Sequence, residues 1–101
     1  MLADLIREFC NTNNYELIEN YSASTFLGEM VTTLAFIVKP DRNFFDALEQ
    51  LSSFLEAKLE AKEIDDSAIE ELEGTNVDYV YTDSVDADAV VYFPFIKDYH
   101  P

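Results

Sequence analysis

The sequence predicts an α+β fold: a single small domain over residues 1–101, ordered α-β-β-α-α-β-β, with a mainly antiparallel four-stranded sheet and helices packed on one face. Three observations predict it. Phe44, Leu48, Leu51, Leu55 and Leu59 form one apolar stripe at helical spacing. Residues 30–38 and 89–95 are rich in β-branched and aromatic side chains, as strands are. Two Gly and three Pro leave little room for long linkers.

Each element has its own signal. Leu2, Leu5, Ile6 and Phe9 recur at helical spacing, so a first helix should end near Asn11-Thr12-Asn13-Asn14. Residues 15–21 read as a strand and 22–28 as a loop. A second strand over 30–38 follows from Val31, Thr32, Thr33, Ile37 and Val38. The alternative for 24–38 is a buried helix capped by Ser24 and running through Phe26, Met30 and Leu34. Pro40-Asp41 closes the strand, and Asp41 is the expected N-cap of a long helix reaching about residue 62. Ser67 and Glu70 suggest a capping box for a third helix, with Ala68, Ile69 and Leu72 inward and Gly74 ending it. Residues 77–82 and 89–95 then read as strands around the connection Asp83-Ser84-Val85-Asp86-Ala87-Asp88. Pro94 cannot donate to a ladder, which places the last strand at an edge or bends it there. The two α-β-β halves share no repeated residues.

Charge dominates the composition. The chain has 21 acids against 6 bases, a formal charge of −15. High net charge alone would favour disorder, but 49% apolar and 14% aromatic residues can build a core. Between Glu63 and Ile96 stand Glu63, Asp65, Asp66, Glu70, Glu71, Glu73, Asp78, Asp83, Asp86 and Asp88, without a single Lys or Arg. A surface of this sign repels nucleic acid and anionic membranes, so direct binding to either is not expected. No apolar run reaches the roughly 18–20 residues that span a bilayer. Asp4, Arg7 and Glu8 interrupt the first ten residues, unlike a secretory signal, and the single Cys10 cannot form an internal disulfide. A cytoplasmic location is expected (the host cytoplasm, if the source is viral).

Catalytic signatures are absent, and the chain is not expected to be an enzyme or to hold a cofactor. His100 is the only histidine and stands next to the end of the sequence. Cys10 falls within an apolar helical pattern and has no evident base, which suits a small core residue. Asp83, Asp86 and Asp88 are oxygen donors of the kind hard cations take, but they lack the spacing, turn glycine and closing Glu of an EF-hand loop. A solvated connection is the expectation there, and no metal is assigned.

The distinctive pattern is on the long helix. Asp46, Glu49, Ser53, Glu56, Glu60 and Glu63 are spaced 3, 4, 3, 4 and 3, opposite the apolar stripe. Five carboxylates would then run about 25 Å along one face. A phosphate strand offers a comparable density, one charge about every 3.4 Å of axis. Lys58 has no acid at its i±3 or i±4 positions, so the helix does not neutralise its own stripe. Asp65, Asp66, Glu70, Glu71 and Glu73 extend the acidity, and Tyr79 and Tyr81 on one strand face are candidate partner anchors. An ordinary solvated face and plain sheet packing are the alternatives for these two groups.

These residues suggest a small acidic binding protein that inhibits a basic nucleic-acid-binding protein or nuclease by occupying its basic surface. In size and charge the chain is similar in overall character to viral DNA-mimic proteins that block restriction enzymes, CRISPR effectors or repair enzymes. No motif carries that similarity. The alternatives are an immunity protein against a toxin nuclease, or a non-catalytic structural or assembly protein that forms a homodimer through an edge strand or the aromatic sheet face.

Overall fold

The computed structural model describes residues 2–24, 28–75, 77–81, 88–94 and 96. Three helices and four strands follow in the expected order: α1 (Leu2–Asn13), β1 (Glu16–Ser24), β2 (Met30–Val38), α2 (Phe44–Glu60), α3 (Asp66–Gly74), β3 (Asp78–Tyr81) and β4 (Ala89–Tyr92). Every strand pair is antiparallel, and the sheet order is β1-β2-β4-β3. The segment 30–38 is therefore a strand, as its β-branched residues suggest.

One apolar cluster joins the helices to one sheet face. Leu2, Ile6 and Phe9 of α1, Leu51 and Leu55 of α2, and Ala68 of α3 meet Leu34, Phe36 and Val38 of β2 and Val91 of β4. Phe36 lies at its centre, with ring centroids 5.9 Å from Phe9, 5.1 Å from Tyr15 and 6.0 Å from Phe93. The opposite face carries a smaller cluster, Ala23, Ala35, Val90 and Tyr92, with Ile18, Tyr21 and Val31 against it. Strand alternation alone accounts for the division: neighbours along β2 and β4 point to opposite faces.

The helix ends differ in detail from the sequence expectation. Asn43, not Asp41, caps α2: its side chain accepts from the Asp46 N–H at 2.8 Å and donates to the Asp46 carboxylate at 2.9 Å. Asp41 falls instead in a turn closed by the Arg42 N–H and the Lys39 carbonyl. Asp65, not Ser67, caps α3, accepting from the Ser67 N–H at 3.0 Å. Ser67 is thereby inside the first helical turn, and no Ser67–Glu70 capping box forms.

Left-handed residues end the first two helices. Asn14 (φ 59°) follows α1, and the Tyr15 N–H returns to the Cys10 carbonyl. Tyr15 then stacks on Phe9, the apolar contact that usually accompanies such a turn. Lys62 (φ 60°) does the same after α2, with bonds from the Lys62 N–H to Leu59 and from the Glu63 N–H to Lys58. The helix therefore stops at Glu60, short of the expected residue 62.

Strand bounds also shift. β1 runs on to Ser24 because a bulge between Ile18 and Tyr21, with Asn20 at φ 58°, restores its register with β2. β4 lies between β2 and β3, so the edge placement offered for the Pro94 strand is wrong. Pairing ends at Tyr92 and the chain turns, the Ile96 N–H meeting the Phe93 carbonyl. That carbonyl also accepts the buried Thr33 hydroxyl at 2.7 Å. The connection around Asp83 and Asp86, and His100, lie outside the described residues.

Phe36→Ala should cost about 3–5 kcal/mol, and Asn43→Ala about 1 kcal/mol through loss of the cap. Urea unfolding of both variants against the native chain checks the ranking; equal losses would contradict this division between core and cap.

Candidate functional site

The outer face of α2 carries four of the five acids expected there, for a simple geometric reason. Ala47, Leu51 and Leu55 are buried, and residues half a turn away must point outward. Asp46, Glu49, Glu56 and Glu60 are all exposed. The face spans about 21 Å, about 4 Å shorter than the sequence suggests, because Glu63 has left the helix.

Glu63 is the clearest departure. The left-handed turn at Lys62 folds it back over the last helical turn, where its carboxylate is 3.7 Å from Lys58. Lys58 also holds Glu8 of α1 at 2.9 Å. Hydrogen bonding to Glu8, with the Glu63 charge behind it, raises this ammonium above its ordinary range. Glu63 therefore shares Lys58 with Glu8 and drops out of the helical stripe. The i±4 rule missed it because the turn, not the helix, makes the contact.

Of the other described cations, Arg7, Lys39 and Arg42 are engaged away from this face, and Lys62 is exposed at the left-handed turn that follows α2. Arg7 bridges Asp4 at 2.9 Å and Glu19 at 2.8 Å, and the Glu19 hydrogen bond raises its already high pKa. Lys39 meets Asp88 at 3.3 Å, which ties that acid to the end of β2. Arg42 lies over the Tyr15 ring and donates to the Asn13 carbonyl. Among the described residues, none of these bases reaches Asp46, Glu49, Glu56 or Glu60, or Glu70 or Glu73 of α3. Nor do the described residues contain any three His, Cys, Asp or Glu placed to share a metal.

The acids of 65–73 divide three ways. Asp65 is a cap, and its carboxyl is held below the ordinary 3.8 by hydrogen bonds from Ser67. Asp66 begins α3, where a negative charge suits the helix dipole. Glu70 and Glu73 are exposed, whereas Glu71 is half-buried, with Oε1 shut off from solvent and without a hydrogen-bond partner. Glu56 and Glu73 line one cleft between α2 and α3, which joins the two acidic faces. Asp46 and Glu49 border a wider open groove of about 630 Å³ with Thr12, Asn13, Gln50 and Phe54.

The two tyrosines separate as well. Tyr79 is half-buried, its ring 4.1 Å from Phe44, so it packs the sheet against α2. Tyr81 is 60% exposed and sits edge-on to Tyr79. Phe45, which the sequence reading passed over, is 73% exposed and touches Phe44. Phe45, Phe44, Tyr79 and Tyr81 thus form a continuous row of rings that reaches the surface at both ends. Phe45 and Glu49 are four apart on α2, so the aromatic row runs into the acidic face. Its position outside the apolar stripe was the signal that could have found it.

Burial pushes the Cys10 thiol up to about 12, which removes it as a nucleophile. No described helix is long and apolar enough to cross a membrane. Comparison with known protein families, with curated proteins and with solved structures finds no match.

The Asp65 carboxyl titrates lower in the folded chain than its ordinary 3.8, so its stabilising contribution is present above that value and is lost as pH falls below it. Asp65→Asn keeps a capping side chain but cannot titrate. Its urea midpoint should vary less than that of the native chain below about pH 4; parallel curves would contradict the assignment.

Proposed function

We propose that this protein inhibits a basic nucleic-acid-binding protein or nuclease by covering its basic surface, with carboxylates standing where phosphates would. One observation carries this reading: the exposed acids of α2 and α3 enter no ion pair among the described residues, the ion-paired cations being placed at other acids. An ordinary soluble helix would interleave Lys with its Glu. Repulsion among uncompensated charges works against the folded state, and a cationic partner relieves it.

The division of labour is physical. The field of a −15 chain speeds encounter with a positive surface. Charge-assisted hydrogen bonds from Arg and Lys then replace those that phosphate oxygens would accept. Phe45, four residues from Glu49 on α2, adds apolar area beside the acids, where a held complex needs it, and the ring row continues from it to Tyr81. The reading extends to a toxin nuclease as target, in which case the protein acts as its immunity partner. A cytoplasmic site of action and a phage or mobile-element source fit the same role.

The test is affinity capture from a host-cell lysate, with and without competing duplex DNA. A basic nucleic-acid-binding protein should be recovered, be displaced by DNA, and bind less tightly as salt rises. Reversing Glu49, Glu56 and Glu60 to Lys should weaken that complex by at least about tenfold while leaving the circular dichroism unchanged. Recovery of no basic partner, or of one indifferent to DNA, would overturn the reading in favour of an assembly role.

A further inference from the structure

The cleft between α2 and α3 has a more specific chemistry than the acidic face around it. Its volume is about 160 Å³, and it is lined by Ser52, Leu55, Glu56, Ile69, Leu72 and Glu73. Leu55 is buried and Ile69 and Leu72 are half-buried, so the floor is apolar. Glu56, Glu73 and Ser52 are exposed and form the polar rim. Neither carboxylate enters an ion pair among the described residues. The nearest cation along the helix, Lys58, is engaged by Glu8 and Glu63.

We infer that this cleft seats a single arginine side chain from the surface of the basic partner, an assignment that rests on the inhibitory reading above. The occupant follows from shape and charge together. At about 160 Å³ the cleft suits one long side chain rather than a helix or a nucleobase pair. An aliphatic stem lies favourably on Leu55, Ile69 and Leu72 while its charged head stays at the rim. Two carboxylates and a hydroxyl set apart around the rim suit an extended planar donor better than the compact three-donor ammonium. The guanidinium offers five donors in one plane and is more weakly hydrated, so it bridges separated acceptors at lower desolvation cost. A wholly apolar side chain would strip water from Glu56 and Glu73 and give them nothing in return.

The test is an NMR titration of the full chain, methyl-labelled, with N-acetyl-arginine amide at constant ionic strength. N-acetyl-lysine amide and the neutral N-acetyl-citrulline amide serve as comparisons. Saturable shifts should appear at the Leu55, Ile69 and Leu72 methyls with arginine, weaker ones with lysine, and none with citrulline. Shifts of equal size with citrulline, or none with arginine, would overturn the assignment. A nona-arginine peptide then separates this inference from the broader one. Ser52→Tyr, which fills the cleft without changing charge, should weaken nona-arginine binding roughly tenfold, as loss of one charge-assisted contact would. Unaltered binding by Ser52→Tyr would reject the cleft and leave the acidic face standing. No binding of nona-arginine to the native chain would reject both.

Discussion

Positive charge is the scarce resource in this molecule, and where the fold places it decides what the rest of the surface can be. Six bases face 21 acids. Three of the six stand at seams: Arg7 joins α1 to β1 through Glu19, Lys58 joins α2 to α1 through Glu8, and Lys39 joins the end of β2 to Asp88 at the start of β4. Exposed pairs of this kind contribute little stability each, with a median near 0–1 kcal/mol. Their larger effect is one of allocation. Acids near the seams are answered, and the outer faces of α2 and α3 keep their charge.

Such a surface is tolerable only over a strong interior. Phe9, Phe36 and Phe93 are fully buried, and Tyr15 and Phe54 pack their rings against Phe9. This aromatic interior fixes the rotation of α2 by holding Phe54 toward α1, while Phe44 lies on Tyr79 of the sheet. With both sides of the helix anchored, Asp46, Glu49, Glu56 and Glu60 have no direction left but outward. The acidic face is thus a consequence of core packing on the opposite side, and a change in the core would rotate or loosen it.

Much of the fold was legible because its signals are local. The spacing of Leu51 and Leu55 and the alternation of β2 declare their elements without help from distant residues. The misplaced features all depend on geometry that spacing does not carry. Asp41 and Asn43 are both good caps, and only the turn at Lys39–Arg42 decides between them. Lys62 carries no mark of a left-handed residue, yet its turn shortens α2 and hands Glu63 to Lys58. Tyr79 and Tyr81 look alike in sequence, but the first lies under Phe44 and the second faces solvent. Which acids lack cations was only half legible, because Arg7 and Lys39 find theirs across 12 and 49 residues.

The central claim concerns location and not merely the amount of charge. Its most direct measurement compares two double variants that alter net charge equally. One reverses Glu56 and Glu60 to Lys on α2; the other reverses Glu16 and Asp41 to Lys, exposed acids that line a separate pocket with Lys39 and Arg42. Affinity for the captured basic partner should fall about tenfold or more in the first and change little in the second. Equal losses would mean that bulk charge alone governs binding, and that the helical face has no special part in it.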